Sequence, residues 1–217
     1  MVEREDEDGG SVPAMMRGGV VTMGFVARLA MMLLIVALAA AAPARALAES
    51  SEARILYRMG LTRFQQGEYE EAVKAFQRAA ELEPERAELH RAIGLAYYNM
   101  GNHQEAAQAF LKAAELAPET AQYHYDLGAT YFNMKSYQDA ITHFREALRL
   151  DPKLTAALVA LGNAYYDAGA YQEAIETLKQ ATVAEPENAA VLSALGLAYD
   201  AAGIPQEAIA ALRRAIA

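Results

Sequence analysis

The 217-residue chain has no cysteine and no tryptophan. Without cysteine it has no disulfide, no thiolate nucleophile and no Cys-ligated metal, and no cysteine is available for lipid attachment at a processing site. Positive charge is scarce: 19 Lys and Arg face 28 Asp and Glu, a formal net charge of -9. A phosphate backbone needs a basic face, so nucleic acid is not an expected partner. Phosphate-cradling glycine loops, serine-centred elbows and nucleophile–base pairs are also missing, so the sequence reads as that of a non-enzyme without a cofactor. Hydrophobic residues make up 54% of the chain. Much of that fraction is alanine, which favours closely packed helices over large buried side chains.

The chain begins with an acidic and then glycine-rich stretch over residues 1–22 without helical or strand pattern, read as a disordered or mis-called extension. Residues 23–48 differ. Arg28 precedes 16 uncharged residues, 29–44, and the stretch ends in Ala46-Leu47-Ala48 before Glu49. A positive residue, a short apolar run and a small-x-small ending are the parts of a secretory signal peptide. The alternative is an uncleaved anchor helix, although the run falls short of the ~20 apolar residues that span a bilayer. Either reading places the remainder outside the cytoplasm, periplasmic or otherwise, and only the second brings a membrane contact.

From residue 53 the sequence is periodic. Pro84, Pro118, Pro152 and Pro186 are 34 residues apart, and Gly60, Gly94, Gly128, Gly162 and Gly196 keep the same step. Units beginning at Ala53, Ala87, Ala121, Thr155 and Ala189 share glycine at unit position 8 and alanine at positions 20 and 27. Position 7 is a large aliphatic, position 11 is tyrosine in units two to five, and position 24 is Phe76, Phe110, Phe144, Leu178 and Leu212. Such a period is the signature of a solenoid. Each unit splits into two helices: one runs to a break such as Gly67, Gly101 or Gly169, the other to the proline. Acids at position 19 (Glu71, Glu105, Asp139, Glu173, Glu207) look like catalytic carboxylates until the period is noticed. They fall in the first turn of each second helix, where a negative charge favours the dipole.

These positions resemble the tetratricopeptide repeat (TPR), whose pattern of glycine at 8, tyrosine at 11, alanine at 20, phenylalanine at 24, alanine at 27 and proline at 32 is met in full by Gly94, Tyr97, Ala106, Phe110, Ala113 and Pro118. The resemblance covers units 53–86, 87–120, 121–154, 155–188 and 189–217. It implies an all-α fold, a right-handed α-solenoid of five helical hairpins over 49–217. It also implies a concave groove lined by positions 2, 5, 9, 12 and 13 of the first helices, taking a protein or peptide. Carried over, the groove offers Arg54, Tyr57 and Phe64, then Arg91, Tyr98 and Asn99, then Tyr125, Phe132 and Asn133, then Asn163 and Tyr166. Position 12 is aromatic in four successive units, supplying contact area at low entropic cost, and Asn at position 13 suits an extended backbone. That aromatic column has a second reading, as packing between units. Arg54 and Arg91 are candidates to meet a ligand carboxylate. The Lys, Asn and Arg set by which some TPR co-chaperones grip a terminal carboxylate is absent in every register.

His90 and His124 share position 4 on adjacent units, where they read as packing residues and make at best a two-ligand metal site. His103 and His143 read as surface residues. In the last second helix, Ile209, Leu212 and Ile216 form an apolar end face. Solenoid ends require a solvated cap, so that face is expected to meet a partner or a second copy unless the chain is a fragment. The function expected is therefore an envelope scaffold or assembly factor binding a protein or peptide. The alternative is a membrane-tethered, self-assembling subunit of a secretion, pilus or exopolysaccharide machine.

Overall fold

A computed structural model describes residues 50–216; the extension and the signal peptide or anchor assigned to 1–48 lie outside them. Among the described residues there is no strand, and no helix is long and apolar enough to cross a membrane. The first helix, α1, covers residues 50–65. It is followed by α2 (Tyr69–Leu82), α3 (Ala87–Asn99), α4 (His103–Leu116), α5 (Ala121–Asn133), α6 (Tyr137–Leu150), α7 (Thr155–Asp167), α8 (Tyr171–Ala184), α9 (Ala189–Ala201) and α10 (Pro205–Ala215). They form five antiparallel hairpins, each helix packing on the one before and the one after. The expected solenoid of five units is what the chain builds.

The small residues set the distance between the two helices of a hairpin. A Cβ placed on Gly128 would lie 2.7 Å from Cδ1 of Phe144, so position 8 has room only for glycine beneath the position-24 ring. The alanines at positions 20 and 27 of the first four units are fully buried at the same seam. Between hairpins larger side chains meet. Ala72, Val73 and Phe76 of α2 receive Ile93 and Ala96 of α3, and Ala140, Ile141 and Phe144 of α6 receive Leu161 and Ala164 of α7. Burying each of these large side chains contributes about 1.5–3 kcal/mol, and the cluster recurs at each joint between units.

First helices end alike. The N–H of position 15 bonds the carbonyl of position 12 and the N–H of position 16 bonds that of position 11, as in Gly101 to Tyr98 (3.0 Å) and Asn102 to Tyr97 (2.9 Å). This closure needs a left-handed residue at position 15. Four units use glycine, at φ between 76° and 79°; the third uses Lys135 at φ 60°. A side chain in that conformation costs about 1–2 kcal/mol, partly offset by the greater freedom glycine has when unfolded. Lys135→Gly is therefore expected to stabilise the chain by about 0.5–1 kcal/mol, read as a higher urea midpoint at unchanged slope. An unchanged midpoint would mean that the Lys135 side chain compensates for its backbone.

The position-19 acids lie in the first turns of α2, α4, α6, α8 and α10, as their helix-dipole reading requires. The histidines depart further from expectation. His90 Nε2 donates to the Pro84 carbonyl (2.8 Å) and His124 Nε2 to that of Pro118 (3.0 Å), tying each first helix to the proline turn that precedes it. His143 is not a surface residue. Its ring stacks between Tyr131 (5.4 Å) and His124 (6.1 Å), and burial, then His124, pushes its pKa below the usual 6.5. Asp139 and Glu146 pull the other way without reversing the shift.

A folded-state pKa below the unfolded one means that the unfolded chain binds the proton first. Stability that is complete above pH 6.5 is therefore lost as the pH falls through the lowered value. Melting temperatures at about pH 7.5 and about pH 5.5 should differ more for the natural chain than for His143→Phe. Equal differences would remove His143 from the acid response.

Candidate functional site: the inner groove

The first helices form the inner side of the solenoid: α5 and α7, and α7 and α9, approach each other directly as well as their own partners. Their exposed faces line a groove with three depressions. The first, about 360 Å³, is bounded by Tyr57, Leu61 and Phe64 of α1, Arg91 and Leu95 of α3, and Gln122 of α5. Its wall is mainly apolar, and Phe76 closes the floor. A second, of about 230 Å³, lies between Leu95 and Tyr98 of α3 and Tyr125 and Ala129 of α5. The third, about 410 Å³, is more polar and holds Tyr125, Asn163 and Asn188. The aromatic and aliphatic members follow from the helical repeat, because positions 5, 9 and 12 share one face of each first helix.

The candidate residues are not equally free. Arg91 Nε donates to Asp126 Oδ2 at 2.5 Å, and Gln122 Nε2 donates to Asp126 Oδ1 at 2.8 Å, so the buried Asp126 carboxylate is held from both sides. The sequence offered Arg91 to a ligand carboxylate; the structure engages it within the chain. Asp126 stands 35 residues from Arg91, one unit plus one, a spacing that brings side chains of neighbouring first helices together. Arg54 is exposed and its Nε reaches back to the Ser50 carbonyl (3.3 Å).

The position-12 column packs within its own units. Phe64, Tyr98, Phe132 and Tyr166 meet Tyr69, His103, Tyr137 and Tyr171, ring centroids 5.3–5.7 Å apart. Those four partners all occupy position 17, a second aromatic column of the repeat. The position-12 rings remain only half-buried, so each keeps a surface toward the groove. Asn133 Nδ2 donates to the Tyr98 hydroxyl (2.6 Å), joining α3 to α5, whereas Asn99 Nδ2 turns back to the Leu95 carbonyl (2.8 Å). Tyr57 lies against Phe76 (5.6 Å) under the Arg86 guanidinium (5.0 Å), and Tyr125 lies against Phe144 (5.8 Å). Burial, then the Asp126 carboxylate, holds the Tyr125 phenol above its ordinary pKa, so it stays a neutral hydrogen-bonding group.

Asp126 is satisfied, and Arg91 is neutralised by it. What the groove presents outward is therefore apolar surface at Leu61 and Leu95, half-exposed aromatic rings, and neutral donors and acceptors such as Asn163. Nothing there resembles a nucleophile with its base. No group of three or more His, Asp or Glu among the described residues is placed to hold a metal ion.

Comparison with known proteins agrees with this architecture. A family profile described as TPR repeat matches residues 60–101, and two described as tetratricopeptide repeat match 91–155 and 131–198. Among curated proteins none matches significantly. Solved structures with the same fold include MamA (TM-score 0.72, 24% identity, covering 76% of this chain and 90% of that one). MamA from Desulfovibrio magneticus RS-1, residues 41 to the end, is similar at TM-score 0.73 and 23% identity, covering 76% and 93%. So is YrrB, described as a TPR protein with an unusual peptide-binding site (TM-score 0.66, 22% identity, covering 74% and 83%). Three successive profiles running from residue 60 to 198 over hairpins of this geometry leave one assignment: the chain belongs to the tetratricopeptide-repeat family.

Proposed function

We propose that the chain is a protein-interaction scaffold whose inner groove binds an extended segment of another protein, seating a large apolar side chain in the depression between α1, α3 and α5. The observation that carries this reading is that depression: about 360 Å³, open on the groove and walled by Tyr57, Leu61, Phe64 and Leu95. A concave, mainly apolar site with a few polar groups at its rim is the general form of a specific binding site. The internal pairing of Arg91 favours an apolar anchor over an acidic one. The peptide-binding site named for YrrB supports the same class of ligand.

Leu61→Glu tests the reading, since Leu61 is exposed and its loss leaves the core intact. Burial of one large apolar side chain is worth about 1.5–3 kcal/mol, so bound peptides selected from a random library on the natural chain should lose affinity at least about tenfold. Peptides that bind the natural and Leu61→Glu chains equally would move the site elsewhere. The leader over 23–48 supports an exported scaffold of the cell envelope. A reporter active only outside the cytoplasm, fused at the C-terminus, tests that separately; an inactive fusion sinks export and leaves the groove untouched.

A further inference from the structure

The four internal interfaces between units share one composition. Positions 21 and 24 of a second helix receive position 7 of the next first helix: Val73 and Phe76 with Ile93, Ala107 and Phe110 with Leu127, Ile141 and Phe144 with Leu161, Ile175 and Leu178 with Leu195. Beside them, position 27 packs on position 3 of the next unit, as in Ala79 with Leu89, Ala113 with Tyr123 and Ala181 with Val191. Every one of these residues is at most 8% exposed.

The outward faces of α1 and α10 carry the same positions uncovered. On α1, Ile55 at position 3 is 60% exposed and Met59 at position 7 is 52% exposed. On α10, Ile209 at position 21 is 52% and Leu212 at position 24 is 37% exposed, with Ile216 beyond them. The two faces are the two halves of the internal interface. One offers what a first helix inserts; the other offers what a second helix receives.

We propose that a second copy of this chain covers these faces head to tail, α10 of one copy against α1 of the next. Ile209 and Leu212 then meet Met59, and Ala215, with Ile216 beside it, lies toward Ile55, in the register that the chain repeats internally. In all four of those interfaces a second helix receives a first helix, so two α10 faces are not complements of each other. Such a contact is heterologous. It leaves one free face of each kind on every assembly and permits growth in one direction, unlike a closed pair. A contact of a few apolar side chains is weak, so the assembly is reversible and depends on concentration.

Because the chain contains no cysteine, a single introduced thiol reports one face. Full chains carrying Met59→Cys or Leu212→Cys are oxidised separately and as an equal mixture, with a longer bis-maleimide beside the disulfide so that exact geometry is not required. The expected result is a cross-linked dimer in the mixture alone, and a ladder of multiples from the chain carrying both substitutions. A dimer from Leu212→Cys alone shows that two α10 faces pair, and overturns the proposal. A dimer from Met59→Cys alone does the same for α1. No dimer in the mixture also overturns it. Groove binding is not needed for any of these outcomes.

Discussion

Replacing Phe144 with alanine is expected to destabilise the folded chain by about 3–5 kcal/mol. The ring is 1% exposed and lies at the centre of the third hairpin. It fills the space over Gly128, lies against Tyr125, and receives Leu161 and Ala164 from the next unit. Truncation removes the contacts within the hairpin together with those between hairpins. Glycine at position 128 supplies no atoms to refill the gap. The loss falls in the middle of an array in which each unit contacts its neighbours, so the units on either side are also uncoupled and the unfolding transition should broaden. Phe144→Leu should cost under about 1.5 kcal/mol, since hydrophobic exchanges of similar volume are tolerated and the fourth unit uses Leu178 at this position. Urea titrations of the three chains give the comparison. Equal losses for the alanine and leucine chains would show that ring shape, and not filled volume, holds the hairpin.

Arg91→Ala is the second large effect, and it separates a structural arginine from a ligand-binding one. The substitution leaves the Asp126 carboxylate, 7% exposed, with Gln122 as its remaining side-chain donor. Breaking a fully buried pair from one side costs about 3–5 kcal/mol; Arg91 keeps 33% of its surface, so a loss of about 2–3 kcal/mol is expected. Removing both charges should recover much of it. The measurement is a double-mutant cycle of Arg91→Ala, Asp126→Leu and Arg91→Ala/Asp126→Leu, in which the doubly substituted chain is more stable than Arg91→Ala alone. Additive losses would show that Arg91 and Asp126 act separately.

The fold was legible because period and packing coincide in this chain. Position 8 must be glycine where Phe144 or its equivalents cross, and position 20 must be small, so the sequence repeats what the close approach demands. The left-handed stop of the third hairpin was hidden, since Lys135 does the work that glycine signals elsewhere. The site was read in part. The helical face that lines the groove follows from position alone, and Tyr57, Tyr98, Tyr125 and Asn163 lie there. Which groove groups are already engaged does not follow from position. Arg91 and Asp126 are 35 residues apart, and only the folded arrangement shows that they meet. The burial of His143 is hidden for the same reason: its unit position holds Ala75, Ala109, Thr177 and Ala211 elsewhere, and the rings that enclose it are those of Tyr131 and His124.

Among the described residues, both side-chain bonds that join first helices of neighbouring units, Arg91 to Asp126 and Asn133 to Tyr98, lie between the second and third units. They sit on the inner side, where uncoiling a superhelix would pull adjacent units apart. The solenoid is therefore a spring of uneven stiffness. Its second and third coils are clasped to each other on the inside, while the fourth and fifth meet their neighbours there through packing alone. Curvature imposed by a bulky occupant should accordingly be taken up in the other coils, and the shape of the second depression, between α3 and α5, should be kept.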